Sequence, residues 1–131
     1  MLLSGSAAWS VSAGPKSVWD GVYSPAQSAR GKAVYAETCS RCHGTTLLGN
    51  DDAAPLVGAP FLTKWNGKTI GDLVDVIRKD MPSDGPGVVT RREASDVVAY
   101  LLSANAFPSG SADLETDEGT LKDIRIEPKS K

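Results

Sequence analysis

Apolar positions recur at helical spacing in two stretches of the chain. Ile70, Leu73, Val74 and Ile77 share one face of a helix that opens at Thr69 with Asp72 in its first turn. Ala94, Val97, Val98, Leu101 and Leu102 form an i, i+3, i+4, i+7, i+8 stripe behind Thr90, with Glu93 placed as its capping-box partner. A third helix is marked by its start: Ser24 is the N-cap, Pro25 takes the first helical position and Gln27 closes a capping box. It runs to about Cys39. No segment of comparable length alternates with period two, so the pattern predicts an all-α domain.

Residues 44–68 carry Gly, Asn, Asp and Pro throughout and predict a loop of about 25 residues. Loops beyond about 12–15 residues are uncommon in compact domains unless they are functional. Short helices joined by such loops leave a thin core for 131 residues, and thin cores usually need a staple or a cofactor.

The ends differ from the middle. Met1 to Pro15 carry no charge, and Leu2-Leu3, Ala7-Ala8 and Val11-Ser12-Ala13 resemble the back half of a secretory signal cleaved after Ala13. The alternative is a flexible N-terminus. Phe107-Pro108-Ser109-Gly110-Ser111 is turn and linker chemistry, so a domain over 16–107 and an acidic tail over 108–131 are expected. Leu114, Leu121, Ile124 and Ile126 are sparse, which predicts an extended course over the domain's own surface or a partner's.

Composition narrows the function. With 40% hydrophobic and 23% charged residues and a formal charge of −2, the chain reads as one globular domain without affinity for nucleic acid or an anionic membrane surface. Residues 1–104 are charge-balanced, and the excess comes from the six acidic and four basic groups beyond them. No apolar run reaches the roughly eighteen residues a membrane span needs, so membrane association would come only through a partner.

The candidate chemistry lies in two cysteines and one histidine, which fall together as Cys39-Ser40-Arg41-Cys42-His43. A structural zinc site needs four ligands, usually in two separated pairs, and this chain has no third cysteine or second histidine. A redox Cys-x-x-Cys belongs to a βαβ setting that the all-α pattern denies, and a plain disulfide leaves the histidine unexplained. Attachment of haem c explains all three residues. Positions i and i+3 share one side of a helical turn, so both thiols reach one porphyrin, and His43 approaches the iron. Met81 is the sole methionine besides Met1 and follows the second helix in Asp80-Met81-Pro82-Ser83-Asp84-Gly85-Pro86-Gly87. That setting suits a thioether pointed into a pocket better than a core gap-filler. It makes Met81 the expected sixth ligand, and His/Met ligation suits an electron carrier.

Here the chain resembles the class I c-type cytochromes, over residues of about 18 to 107. Cys39-Ser40-Arg41-Cys42-His43-Gly44 matches the haem-attachment signature, and Met81-Pro82 with Pro86-Gly87 looks like the distal loop. Gly31 and Tyr35 resemble the small and aromatic pair crossed by the terminal helix, with Tyr100 and Leu101 opposite. Pro55-Leu56-Val57-Gly58 resembles the segment beside the proximal histidine. A proline is common two residues before that leucine, but this chain has Ala54, whose carbonyl is the favoured acceptor for His43 Nδ1. By the same resemblance Ala54, Pro55, Leu56, Phe61, Trp65 and Pro82 line the haem, with the Trp65 indole near a propionate. Trp19-Asp20-Gly21-Val22-Tyr23 and the tail look like those of small cytochrome subunits that serve periplasmic quinoprotein dehydrogenases.

The resemblance implies a one-electron carrier rather than an enzyme, working in the periplasm or a similar extracytoplasmic space where haem is attached. It would pass electrons from a dehydrogenase to an acceptor such as a terminal oxidase. Two alternatives stand beside it: a subunit fixed in a respiratory or photosynthetic membrane complex, and a haem enzyme with a labile distal ligand.

Overall fold

A computed structural model describes residues 17–129; the expected signal remnant lies outside them. The elements are α1 (Pro25–Thr38), α2 (Ser40–His43), α3 (Gly58–Trp65), α4 (Ile70–Asp80), α5 (Arg91–Ala104) and α6 (Glu118–Lys122), preceded by a 3-10 turn at Val18–Asp20. Among the described residues there is no strand, only isolated bridges from Arg125 to Ser17 and to Thr69.

The caps at Thr69 and Thr90 form as expected: each hydroxyl accepts from the amide three residues on, and Asp72 and Glu93 answer to the cap amide. The expected box at Ser24 is only half made. Ser24 accepts from the Gln27 amide at 3.1 Å. The Gln27 side chain turns away and is wholly buried, because its amide pairs with the backbone of the C-terminal segment. A capping partner gains one amide in solvent, whereas buried backbone groups must be satisfied or they destabilise the fold, and that demand prevails here.

Residues 44–68 are not all loop. α3 forms within them, and Gly58-Ala59-Pro60 makes up its first three positions. Proline is tolerated in a first turn because those amides have no intrahelical partner. The residues that read as loop punctuation are therefore the opening of a helix. Phe61 and Trp65, four apart, bury one face of it.

α1 crosses α5 closely. A Cβ on Gly31 would fall 1.8 Å from the Asp96 carbonyl oxygen, so only hydrogen fits at the crossing. The Tyr35 and Tyr100 rings meet one turn away with centroids 5.4 Å apart. α5 is buried beyond its apolar stripe, since Ser95, Asp96 and Ala99 lie in the interior as well.

The chain beyond Phe107 covers that second face. Leu114, Leu121, Ile124 and Ile126 are all buried against the domain itself. Gln27 bonds both backbone groups of Leu114, at 2.6 Å from its N–H and 3.2 Å to its carbonyl. The Ser95 hydroxyl donates to the Glu115 carbonyl at 2.8 Å. Ile70 N–H donates to the Ile124 carbonyl and Ile126 N–H to the Lys68 carbonyl. The N-terminal segment closes the belt: Val18 N–H donates to the Arg125 carbonyl, and the Trp19 indole to the Glu127 carbonyl at 2.8 Å.

Candidate haem-binding site

On the other side of α5, a cavity of about 360 Å³ opens between α2, the loop of residues 50–56, α4 and the segment after it. Pockets of this scale take small molecules and cofactors. Its apolar wall includes Leu56, Trp65, Leu73, Ile77, Val97 and Leu101, and Cys39, Cys42, His43, Met81 and Pro82 also face it.

α1 ends at Thr38 and the chain winds one further turn, with the Cys42 and His43 amides both donating to the Cys39 carbonyl. That turn puts Cys39 and Cys42 on one side. Gly44 then leaves the helix at φ 85°, and its carbonyl accepts from the Tyr35 hydroxyl at 2.6 Å. The helix-crossing tyrosine thus also fixes the residue after His43. Burial, with the neighbouring Cys39 and Tyr100 adding to it, pushes the Tyr35 phenol up to about 12.

His43 Nδ1 lies 2.8 Å from the Ala54 carbonyl oxygen. A carbonyl only accepts, so the proton resides on Nδ1 and the Nε2 lone pair is left for a metal. The loop that brings Ala54 there is held at two asparagines. Asn50 donates to the Cys42 carbonyl at 2.8 Å and accepts the Asp52 and Ala53 amides. Asn105 donates to the Leu56 and Leu101 carbonyls and accepts the Gly58 amide at 2.9 Å. Sequence reading missed both. Asn50 ahead of Asp51-Asp52 is a recognisable Asx-turn signal; nothing local ties Asn105 to residues nearly fifty positions earlier.

Both thiols are free. Burial pushes the Cys39 thiol up to about 11, with Cys42 adding to it. Redox dithiols need the opposite shift, toward a stable thiolate. Among the described residues no group of three or more His, Cys, Asp or Glu could hold a metal ion by itself. The donor set is one imidazole and one thioether facing a shared apolar cavity beside two thiols, and it fits a haem.

Ala54, Pro55, Leu56, Trp65, Met81 and Pro82 stand on the cavity wall. Phe61 does not. It lies in the core with 2% exposure, its ring 6.5 Å from that of Trp65, and backs the wall from behind. Arg41, Asn50, Asp52, Lys64 and Ser83, which the sequence reading did not place at the site, form a polar and exposed part of the wall. The Lys64 ammonium sits 5.8 Å from the Trp65 ring centre.

An all-α domain whose Cys-x-x-Cys-His turn and Met81 face one apolar cavity is a class I cytochrome c. Residues 26–101 match the family described as cytochrome c oxidase, cbb3-type, subunit III, and the chain belongs to that family. Membership makes it an electron-transfer protein and implies covalently bound haem c. Among solved structures it is similar to the sulfane dehydrogenase SoxCD from Paracoccus pantotrophus, at 21% identity and a TM-score of 0.54. That match covers 82% of this chain and 61% of the other, and at this identity it speaks for the fold. No curated protein matches the sequence. No helix among the described residues is long and apolar enough to cross a membrane.

Proposed function

We propose that the protein carries single electrons on one haem c, from a dehydrogenase to an acceptor such as a terminal oxidase, in the periplasm or an equivalent space. The observation that carries this reading is the His43 Nδ1 to Ala54 carbonyl bond of 2.8 Å, in a cavity that Cys39, Cys42 and Met81 also face. Haem iron, when bound, supplies a ferric/ferrous couple. Cys39 and Cys42 would attach the porphyrin, while His43 and Met81 would be the side chains that hold its iron. The Ala54 carbonyl keeps the imidazole in the ligating tautomer and orientation. Pro55, Leu56 and Pro82 exclude water, and Phe61 supports Trp65. The Trp65 indole and the Lys64 ammonium would hold the carboxylates of the porphyrin.

With His43 and Met81 both holding the iron, no position would be left for oxygen or peroxide, which favours a carrier over an enzyme. The carrier domain spans 16–107 in this reading, with 108–131 as its C-terminal tail, of which the described residues 108–129 form the belt. Because Leu114, Leu121, Ile124 and Ile126 are buried on the domain, they are not available to clamp a neighbouring chain. That favours a carrier over a permanently fixed subunit. The similar fold in a sulfane dehydrogenase is consistent with a dehydrogenase as the donor class.

Denaturing mass spectrometry of the mature holoprotein tests the reading. One haem mass is expected on the unfolded chain, lost in Cys39→Ala/Cys42→Ala. A weak sulfur-to-iron band in the ferric near-infrared is expected, and Met81→Ala should abolish it. An unfolded chain without an adduct refutes the assignment.

A further inference from the structure

Arg41 lies between the two cysteines on α2, and Asp84 lies three residues beyond Met81. Their side chains meet in a two-pronged ion pair: Arg41 Nη1 to Asp84 Oδ2 at 2.9 Å and Nη2 to Oδ1 at 2.8 Å. Both partners are more than half exposed, so the pair lies at the surface and is open to screening by salt. The fork is nonetheless the strong geometry for a guanidinium and a carboxylate, because two parallel bonds fix orientation as well as distance. Among the described residues it is the ion pair that joins the Cys-x-x-Cys-His turn to the segment after α4.

That segment has little else to hold it. Residues 83–88 are all exposed, and the Gly85 amide closes a turn onto the Pro82 carbonyl at 3.0 Å. The next buried anchor is Val89. Arg41 and Ser83 both stand on the cavity wall, so the fork closes over the edge where the two ligand-bearing segments face each other.

We propose that the Arg41–Asp84 fork is a latch that holds the distal segment against α2 and thereby sets how often Met81 leaves its ligating position. Arg41 and Asp84 are positioning residues that act through Met81. The proposal rests on the His43/Met81 reading above. It makes access to the distal position depend on a surface ion pair, so that a charged partner docking on this edge, or raised ionic strength, would loosen it.

The test uses ferric holoprotein and three variants, Arg41→Gln, Asp84→Asn and the reversed pair Arg41→Asp/Asp84→Arg. The rate of cyanide binding reports opening of the distal position, and hydrogen exchange at the Gly85 amide reports the segment itself. Either single variant should speed cyanide binding roughly two- to fivefold, the range an exposed ion pair supports. Exchange at Gly85 should rise with it, and the near-infrared band should persist. The double variant Arg41→Gln/Asp84→Asn should be no faster than either single one, and the reversed pair should recover part of the wild-type rate. Raised salt should speed the wild type and leave the single variants unchanged. Unchanged rates and exchange in both single variants, with the near-infrared band present, overturn the latch and leave the ligation intact. A wild type without that band overturns the ligation reading instead, and faster Gly85 exchange in the variants would still identify the latch.

Discussion

Gln27→Glu separates two roles for one residue. A glutamine three residues after a serine N-cap reads as a capping-box partner, and glutamate serves that role equally well. If capping were its function, the substitution would be neutral or slightly stabilising, since a carboxylate also favours a helix N-terminus. In the fold the amide does something else. Its oxygen accepts the Leu114 N–H at 2.6 Å, and its nitrogen donates to the Leu114 carbonyl and to Asp96 Oδ1, each at 3.2 Å. The side chain is fully buried. Glutamate replaces that nitrogen with an oxygen that faces two acceptors, one of them a carboxylate. Two hydrogen bonds are lost, at about 1 kcal/mol each. A buried carbonyl is orphaned and like charges are brought together, which adds on the order of 1–3 kcal/mol. The sum is roughly 3 kcal/mol or more. At about 4 °C per kcal/mol for a chain of this size, the melting temperature should fall by about 10–15 °C. Thermal unfolding of the holoprotein followed by far-ultraviolet circular dichroism measures it, with hydrogen exchange at Leu114 showing whether the belt has lifted. A Gln27→Glu protein as stable as wild type, with the Leu114 amide still protected, would refute the reasoning.

Two further outcomes follow from the same packing. Gly31→Ala must move a Cβ that starts 1.8 Å from the Asp96 oxygen, so α1 and α5 have to part. Overpacking against backbone should destabilise by about 3 kcal/mol in a denaturant titration, and a change under about 0.5 kcal/mol would contradict the crossing. Acid should weaken the fold through Asp72, Asp113 and Asp117. Asp72 is held below the usual range chiefly by the Thr69 amide, Asp113 by the Ser24 hydroxyl and then Arg30, and Asp117 by the Thr120 amide. For such lowered carboxylates the stabilisation is fully present above the ordinary aspartate value of about 4 and is lost as pH falls through the folded value. The denaturation midpoint of wild type should therefore fall more steeply below about pH 4 than that of Asp72→Asn, and parallel curves would contradict it.

The parts of the fold that were legible in sequence are those carried by local signals. Thr69 with Asp72, and Thr90 with Glu93, announce helix starts, because cap and partner lie three residues apart and need nothing else. The Cys39-to-His43 turn is legible for the same reason. α3 was hidden because Gly58 and Pro60 read as loop residues, and the amide that Gly58 leaves free is taken by Asn105. Gln27 misled because one residue type serves two chemistries, and only the distant Leu114 decides between them. The interior position of Phe61 is likewise a tertiary fact. Four apart on α3, Phe61 and Trp65 share a face, and the cavity reaches only the second.

The same distinction explains how the domain is built around its site. Residues up to Phe107 contain short apolar faces on α3, α4 and α5, and α1 contributes only Gln27, Gly31 and Tyr35 to the buried interior. A core that thin has two open sides. A cofactor would complete one, against Leu73, Ile77, Val97 and Leu101 on the cavity wall. The belt completes the other, where Leu114, Leu121, Ile124 and Ile126 pack and where Ser95 bonds it to α5. α5 is therefore shared, with the cavity on one face and the belt on the opposite one. Its C-terminal Asn105 holds Leu56 and Gly58, the segment just after the Ala54 acceptor of His43. The same helix therefore bonds the belt through Ser95 and the loop beyond Ala54 through Asn105. Among the described residues none of the C-terminal segment lines the cavity, and α5 is the helix that meets both.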